Sequence, residues 1–257
     1  MDLKGKTALI TGASRGIGKA IAIELANQGI YKLLLVARNR KKLAEVAAEI
    51  ESLNIEKIEV VTLAIDLTKP KAISIAIAQA WRSYGAVDIL INCAGVAHQT
   101  PFLQSQLTKV EEEISLNFMG MITIVRLVAK RMASRKQGII VNVSSLMGKV
   151  AAPTMATYSA TKFAIVGFTQ ALRIELAPHN IQVIALLPSL TKTDMMQNLK
   201  LFRWVIPSTP ETVASSLVSG LKKDSSEILV GWQSYLAIWC QRICPWLLNR
   251  ILVFASP

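Results

Sequence analysis

Short apolar runs that alternate with helical patterns constrain the fold of this chain more than any other feature. Thr7–Ile10, Leu33–Ala37, Val60–Ile65, Val87–Cys93, Ile139–Ser144, Ile181–Leu187 and Glu227–Val230 read as strands. Between them lie helical stretches through about Asn27, from Lys41 to about Ser52, from Ile73 to Tyr84, from about Val110 to Ser134, and from Thr157 to about Leu176. A sheet with one wet face alternates apolar and polar side chains, whereas strands that are apolar throughout are covered on both faces. The expected fold is therefore α/β: a Rossmann-type doubly wound sheet of about seven parallel strands with helices on both faces. Ligands of such sheets sit beyond the carboxyl ends of the strands. No repeat, low-complexity tract or linker divides residues 1–231, which are expected to form one domain. Residues 232–257 stand apart as an apolar, basic C-terminal segment.

Composition narrows the function classes. The 257 residues are 52% apolar and 18% charged, the balance of a folded globular chain. A net charge of +12 suits an anionic partner: cofactor phosphates, an acidic membrane surface or nucleic acid. No nucleic-acid-binding signature accompanies the charge, so nucleic acid is not expected. Three cysteines (Cys93, Cys240, Cys244) and two histidines (His98, His179) build no recognisable metal site, and no metal is expected. The first strand begins almost at once, with no signal peptide ahead of it, so the expected location is the reducing cytoplasm.

The turn after the first strand carries the first chemistry. It reads Thr11-Gly12-Ala13-Ser14-Arg15-Gly16-Ile17-Gly18 and opens a helix. Glycine at such a turn permits unusual φ and lets backbone N–H groups approach a diphosphate, whose charge the helix dipole supports. The spacing is GxxxGxG rather than GxGxxG. About 20 residues further on, an NAD-preferring dinucleotide fold places an acid for the ribose 2′-hydroxyl. Here the second strand ends in Arg38-Asn39-Arg40. Arg38 with Arg15 could instead clamp a 2′-phosphate, so NADP(H) is the expected cofactor. Asp66, followed by Leu67 at the end of the third strand, is placed either to meet the adenine or to cap the next helix.

Tyr158 and Lys162 stand four apart in a helical stretch and so share a face. A neighbouring ammonium favours a phenolate and lowers a tyrosine pKa from about 10, which makes the phenol a proton donor and acceptor near neutrality.

Together, TGASRGIG at 11–18, Asn92-Cys93-Ala94-Gly95, Asn117, Ser145, Tyr158-Ser159-Ala160-Thr161-Lys162 and Pro188 to Thr193 resemble the short-chain dehydrogenase/reductase (SDR) family over about residues 5 to 230. The resemblance implies that Tyr158 donates a proton to a substrate carbonyl oxygen as NADPH delivers hydride to its carbon. It implies that Lys162 lowers the tyrosine pKa and binds the nicotinamide ribose. Ser145, thirteen residues before Tyr158, would hold and polarise the carbonyl, with Ser144 the alternative. Asn117 would hold a water that relays protons to Lys162. Gly12, Ser14, Arg15, Gly16, Ile17, Gly18, Arg38, Asp66, Leu67, Asn92, Ala94, Gly95, Tyr158, Lys162, Pro188, Thr191 and Thr193 would contact the cofactor, and Ser145 and Tyr158 the substrate. For Asn92 an Asx bond that shapes its loop is an equal reading. Pro188-Ser189 departs from the family's usual Pro-Gly. A homo-oligomer, formed through the helices starting near Val110 and Thr157, is also implied.

Substrate selection is expected in the loop after Gly95, in Met147 to Thr154 and in Asp194 to Pro210. Val96, Phe102, Met147, Met155, Met195, Met196, Leu199, Leu201, Phe202, Trp204 and Val205 favour a lipophilic carbonyl compound: a 3-oxoacyl, steroid, retinoid or sphingoid ketone or aldehyde. From Trp232 to Phe254 the chain is rich in tryptophan and aliphatic residues, has no acid, and carries Arg242 and Arg250. Polar interruptions and Pro245 argue against a transmembrane helix. A helix lying in a membrane interface, and a lid or subunit contact, both fit this segment. Two other function classes stay open: a catalytically idle NADP-binding sensor or scaffold, and a peripheral membrane-anchoring protein.

Overall fold

In the computed structural model, which describes residues 2–55, 58–197 and 199–255, the apolar runs form one parallel sheet. Its strands among those residues are β1 (Thr7–Thr11), β2 (Lys32–Ala37), β3 (Glu59–Ala64), β4 (Ile89–Asn92), β5 (Gly138–Val143), β6 (Ile181–Leu187) and β7 (Glu227–Leu229), in the order β3-β2-β1-β4-β5-β6-β7. The helices are α1 (Gly16–Asn27), α2 (Arg40–Glu51), α3 (Pro70–Tyr84), α4 (Leu107–Glu113), α5 (Met121–Arg135), α6 (Ala156–Leu176), α7 (Asp194–Gln197), α8 (Pro210–Lys222), α9 (Trp232–Ile243) and α10 (Pro245–Ala255). After β3 the chain returns across β1 to lay down β4, so the crevice of a doubly wound sheet is expected beyond the carboxyl ends of β1 and β4.

Alternate residues of each strand face opposite sides, so two cores flank the sheet. Ile10, Leu33 and Leu35 join Leu25 of α1 and Leu217 of α8 on one side. Leu9, Leu34 and Val36 join Ile73 of α3 and Val128 of α5 on the other. β1 is buried along its whole length, as a two-faced strand requires. β3 is different: Thr62 and Ala64 are exposed because β3 is a sheet edge, so its apolar run is only half covered.

Three details depart from the sequence expectations. The long helix expected from about Val110 begins at Leu107 and is interrupted by a π-helical turn, Ile114–Gly120, which separates α4 from α5. α8 was not foreseen, although Thr209 accepts the Thr212 N–H as its cap and Pro210 occupies its first turn. The C-terminal segment folds as two helices, α9 and α10, broken at Cys244 just before Pro245. No helix among the described residues is long and apolar enough to cross a membrane. Ser256 and Pro257, the end of that segment, lie outside the described residues.

Because Leu9 is fully buried between strands and helices, Leu9→Ala removes contacts that the sheet cannot close up around. It is expected to cost about 2–5 kcal/mol in urea unfolding, with an unchanged denaturant slope.

Candidate active site

The glycine turn is held against the loop after β4. Gly12 and Gly16 have φ of +69° and +56°, in the left-handed region that favours glycine. A Cβ on Gly12 would stand 2.8 Å from Ala94 Cα, and one on Gly18 would run into the Gly12 carbonyl. Thr11 sets this approach: its Oγ1 accepts the N–H groups of Cys93 at 3.0 Å and Ala94 at 3.1 Å. The floor beneath is a buried amide chain. Asn92 Nδ2 donates to Asn142 Oδ1 at 2.8 Å, and Asn142 Nδ2 donates to Thr169 Oγ1 at 2.9 Å.

A cleft of about 380 Å³ opens above this turn. Of the predicted cofactor residues, Gly12, Ser14, Arg15, Gly16, Ile17, Gly18, Arg38, Leu67, Ala94, Gly95, Tyr158, Lys162 and Thr193 line it. The structure does not bring Asp66, Asn92, Pro188 or Thr191 to its surface. Asp66 Oδ1 is taken by the Thr68 N–H at 3.0 Å and hydroxyl at 2.8 Å, and the first of these bonds is the main reason its carboxyl lies below the ordinary range. The cap of α3 is Lys69, so Asp66 shapes the turn ahead of that helix rather than capping it. Asn92 is buried: its Nδ2 donates to Asn142 and, among the described residues, its Oδ1 has no partner, so the Asx bond expected for its loop is not formed. Thr191 is buried and donates to the Ser189 carbonyl, while the Pro188 carbonyl accepts the Leu146 N–H. Arg15 is paired with Asp194 at 3.1 Å, both half exposed, a contact worth little and readily exchanged. Arg38 and Lys42 add positive charge at the same rim. Lys42 was legible only as part of a basic helix start.

At the inner end of the cleft the catalytic candidates meet. Lys162 is 5% exposed; its Nζ donates to the Val143 carbonyl at 3.1 Å and lies 5.4 Å from the Tyr158 ring centroid. Burial pulls the ammonium down to about 8. Burial also pushes the Tyr158 phenol up to about 12, opposed by a hydrogen bond with Ser145 and reinforced by the charge of Glu113. Desolvation thus dominates, raising the phenol where a lowering was expected, and the Lys162 ammonium donates to the Val143 carbonyl.

The serine pair separates cleanly. Ser144 is buried and donates to the Lys162 carbonyl at 2.8 Å, whereas Ser145 meets the phenol and caps a short turn by accepting the Met147 N–H. Asn117, 1% exposed in the π turn, accepts the Val96 N–H at 2.8 Å and donates to the Val96 carbonyl and Thr161 Oγ1. Its amide pins the loop after β4 beside Lys162.

Sequence reasoning missed the partners of His98: its Nε2 lies 3.1 Å from Glu112, and its N–H is accepted by Glu113 at 2.6 Å. A run of three glutamates reads as a solvated helix face, and only the burial of Glu113 shows otherwise. Among the substrate candidates, Val96 and Met195 line the cleft, while Met155 is core. Trp204 is exposed and stacks on Phe254 at 6.0 Å, and Gln233 of α9 donates to its carbonyl, which ties this loop to the C-terminal helices.

A family model described as short chain dehydrogenase matches residues 6–203. The chain is 32% identical over 247 residues to mouse (Mus musculus) 3-ketodihydrosphingosine reductase, covering 92% of this chain and 74% of the relative. It is 34% identical over 256 residues to a very-long-chain 3-oxoacyl-CoA reductase of Phaeosphaeria nodorum, covering 99% and 74%. A short-chain dehydrogenase from Sphingobium yanoikuyae in complex with NADPH superposes with a TM-score of 0.80 at 31% identity, covering 87% of each chain.

Lys162 carries a stability signature. Its folded value of about 8 lies below the ordinary 10.5, so between these pH values the unfolded chain binds more protons and stability rises with pH. Wild-type protein is expected to gain stability relative to Lys162→Met as pH rises from 8 towards 10.5 in parallel urea titrations; a constant difference would contradict a desolvated ammonium.

Proposed function

The chain belongs to the short-chain dehydrogenase family, and from that premise we propose that it is an NADPH-dependent ketoreductase acting on a lipophilic carbonyl compound. One observation carries the reading: Tyr158 and Lys162 line the same cleft as Gly12, Gly16 and Gly18 of the glycine turn, and Ser145 hydrogen-bonds the Tyr158 phenol. The residues present fit a dinucleotide. Gly12 and Gly18 let the turn lie close against Ala94 and its own backbone, α1 starts at the cradle with no acid in its first turn, and Arg38 and Lys42 on the same cleft would hold a 2′-phosphate. When bound, NADPH supplies the hydride.

The chain's own residues handle the proton and the carbonyl. Ser145 hydrogen-bonds the carbonyl oxygen and fixes it beside the phenol. At neutral pH, burial leaves Tyr158 protonated and Lys162 mostly charged, the form that a reduction requires. As negative charge builds on the oxygen, Tyr158 hands over its proton, and Lys162 stabilises the phenolate left behind. Asn117 acts as a positioning residue through Val96 and Thr161.

The names of the relatives, together with apolar residues around the cleft mouth, support a long-chain ketone. Exposed Trp232, Trp239, Ile243, Trp246, Ile251 and Phe254 on α9 and α10, with Arg242 and Arg250 and no acid, support an interfacial seat on an anionic membrane. Exposed Ile114, Met119, Phe163 and Ile174 on α6 and the α4–α5 stretch support a homo-oligomer.

Tyr158→Phe is expected to lower NADPH-dependent ketone reduction by at least about a hundredfold while NADPH still binds, as followed by fluorescence. Activity that survives the change would favour the sensor or scaffold reading. In flotation assays the wild-type protein is expected to rise with vesicles containing phosphatidylserine. Trp239→Glu/Trp246→Glu should stay at the bottom; equal flotation of both would remove the membrane seat and leave a subunit contact.

A further inference from the structure

Beside the catalytic cleft lies a second cavity of about 390 Å³, between the loop after β4, α4 and the start of α6. Its lining includes Gln99, Thr100, Thr154 and Thr157, which offer hydrogen bonds to a polar head group. Glu113 also lines it and is only 2% exposed. One carboxylate oxygen accepts the His98 N–H at 2.6 Å. Among the described residues no cation pairs with this carboxylate, because His98 and Lys109 are both committed to Glu112. A buried carboxylate with a single hydrogen bond is expensive to keep ionised, and burial already raises its pKa. It sits beside the chemistry: α4 packs on α6, which carries Tyr158, and the Glu113 charge reaches the phenol.

We infer that Glu113 is the recognition group for a protonated amine that the carbonyl substrate carries near its carbonyl. This rests on the ketoreductase reading and narrows its substrate class to amino ketones. With the carbonyl at Ser145 and Tyr158, an ammonium on a neighbouring carbon enters the polar cavity and supplies the missing countercharge. The alkyl chain leaves along the apolar side of the cleft, past Val96 and Met195. An ammonium at Glu113 also removes the negative charge that opposes ionisation of Tyr158, so the preferred substrate improves its own proton donor. Sphingoid-type amino ketones meet this requirement, and 3-oxoacyl thioesters do not.

The test uses the full chain with NADPH and three matched long-chain ketones: a 2-amino-3-ketone, its N-acetyl derivative and its des-amino counterpart. Wild-type kcat/KM is expected to favour the free amine over both others by on the order of thirtyfold, the scale of one charge-assisted hydrogen bond. Glu113→Gln keeps an acceptor for the His98 N–H and is expected to collapse that ratio towards one. Equal kcat/KM for the three ketones in the wild type would overturn the proposal while leaving the reductase reading intact. A preference that persists in Glu113→Gln would overturn it too, by placing amine recognition elsewhere. No turnover with any of the three would sink the reductase reading itself. Should Glu113→Gln fail to fold, equal kcat/KM for the free amine and the N-acetyl amine in the wild type would still overturn the proposal.

Discussion

The Thr11 hydroxyl holds the switch point together. By accepting two successive N–H groups from the loop after β4, it closes the carboxyl ends of β1 and β4 to a fixed distance. Every later feature of the cleft depends on that distance. The glycine turn can lie on Ala94 only because Gly12 has no side chain there, and Gly95 can lie under Asn117 and Lys162 for the same reason. The Asn92–Asn142–Thr169 chain repeats the device one layer down, joining β4, β5 and α6 through amides that an apolar core would otherwise exclude.

Against this rigid floor, the electrostatics of the site follow from burial. Desolvation disfavours both charged forms, so phenol and ammonium each move towards neutrality, and their ordinary values of 10.0 and 10.5 become about 12 and about 8. The order of the two groups is thereby kept far apart: the phenol holds its proton through neutral pH, while the ammonium is poised close to it. A substrate oxygen that hydrogen-bonds Tyr158, or a cation that covers Glu113, shifts the balance of this pair. The site is prepared for charge to arrive.

Much of this was legible in the sequence, for identifiable reasons. Period and apolar content sufficed for the sheet, because a two-faced strand such as Leu33–Ala37 has no other stable home. The cradle was legible because Gly12, Gly16 and Gly18 have a steric task that other residues cannot perform. The behaviour of Tyr158 was misread, because spacing along a helix reports proximity but not the water lost on burial. Glu113 was invisible for a related reason: three consecutive glutamates look alike until α4 turns one of them inward. The paired roles of Ser144 and Ser145 emerge only once β5 ends and sends successive side chains opposite ways, one to Lys162 and one to Tyr158. α8 was missed although Thr209-Pro210 announced its start, since it follows a loop whose apolar residues obscure the helical period.

The π turn at Ile114–Gly120 has a further effect on how this molecule can change. In an unbroken α-helix each residue is fixed at 100° from the next, so the face shown by α4 would dictate the face shown by α5. The wider turn inserts a phase slip between them. α5 can keep Ile124, Val125 and Val128 locked onto the sheet while α4 presents an independently chosen set of side chains to the cavity beside Tyr158. Variation in α4 can then alter what the pocket recognises without disturbing the register of the core. Asn117, seated within the slip itself, marks the joint between the part of this stretch that holds the fold and the part that is free to specialise.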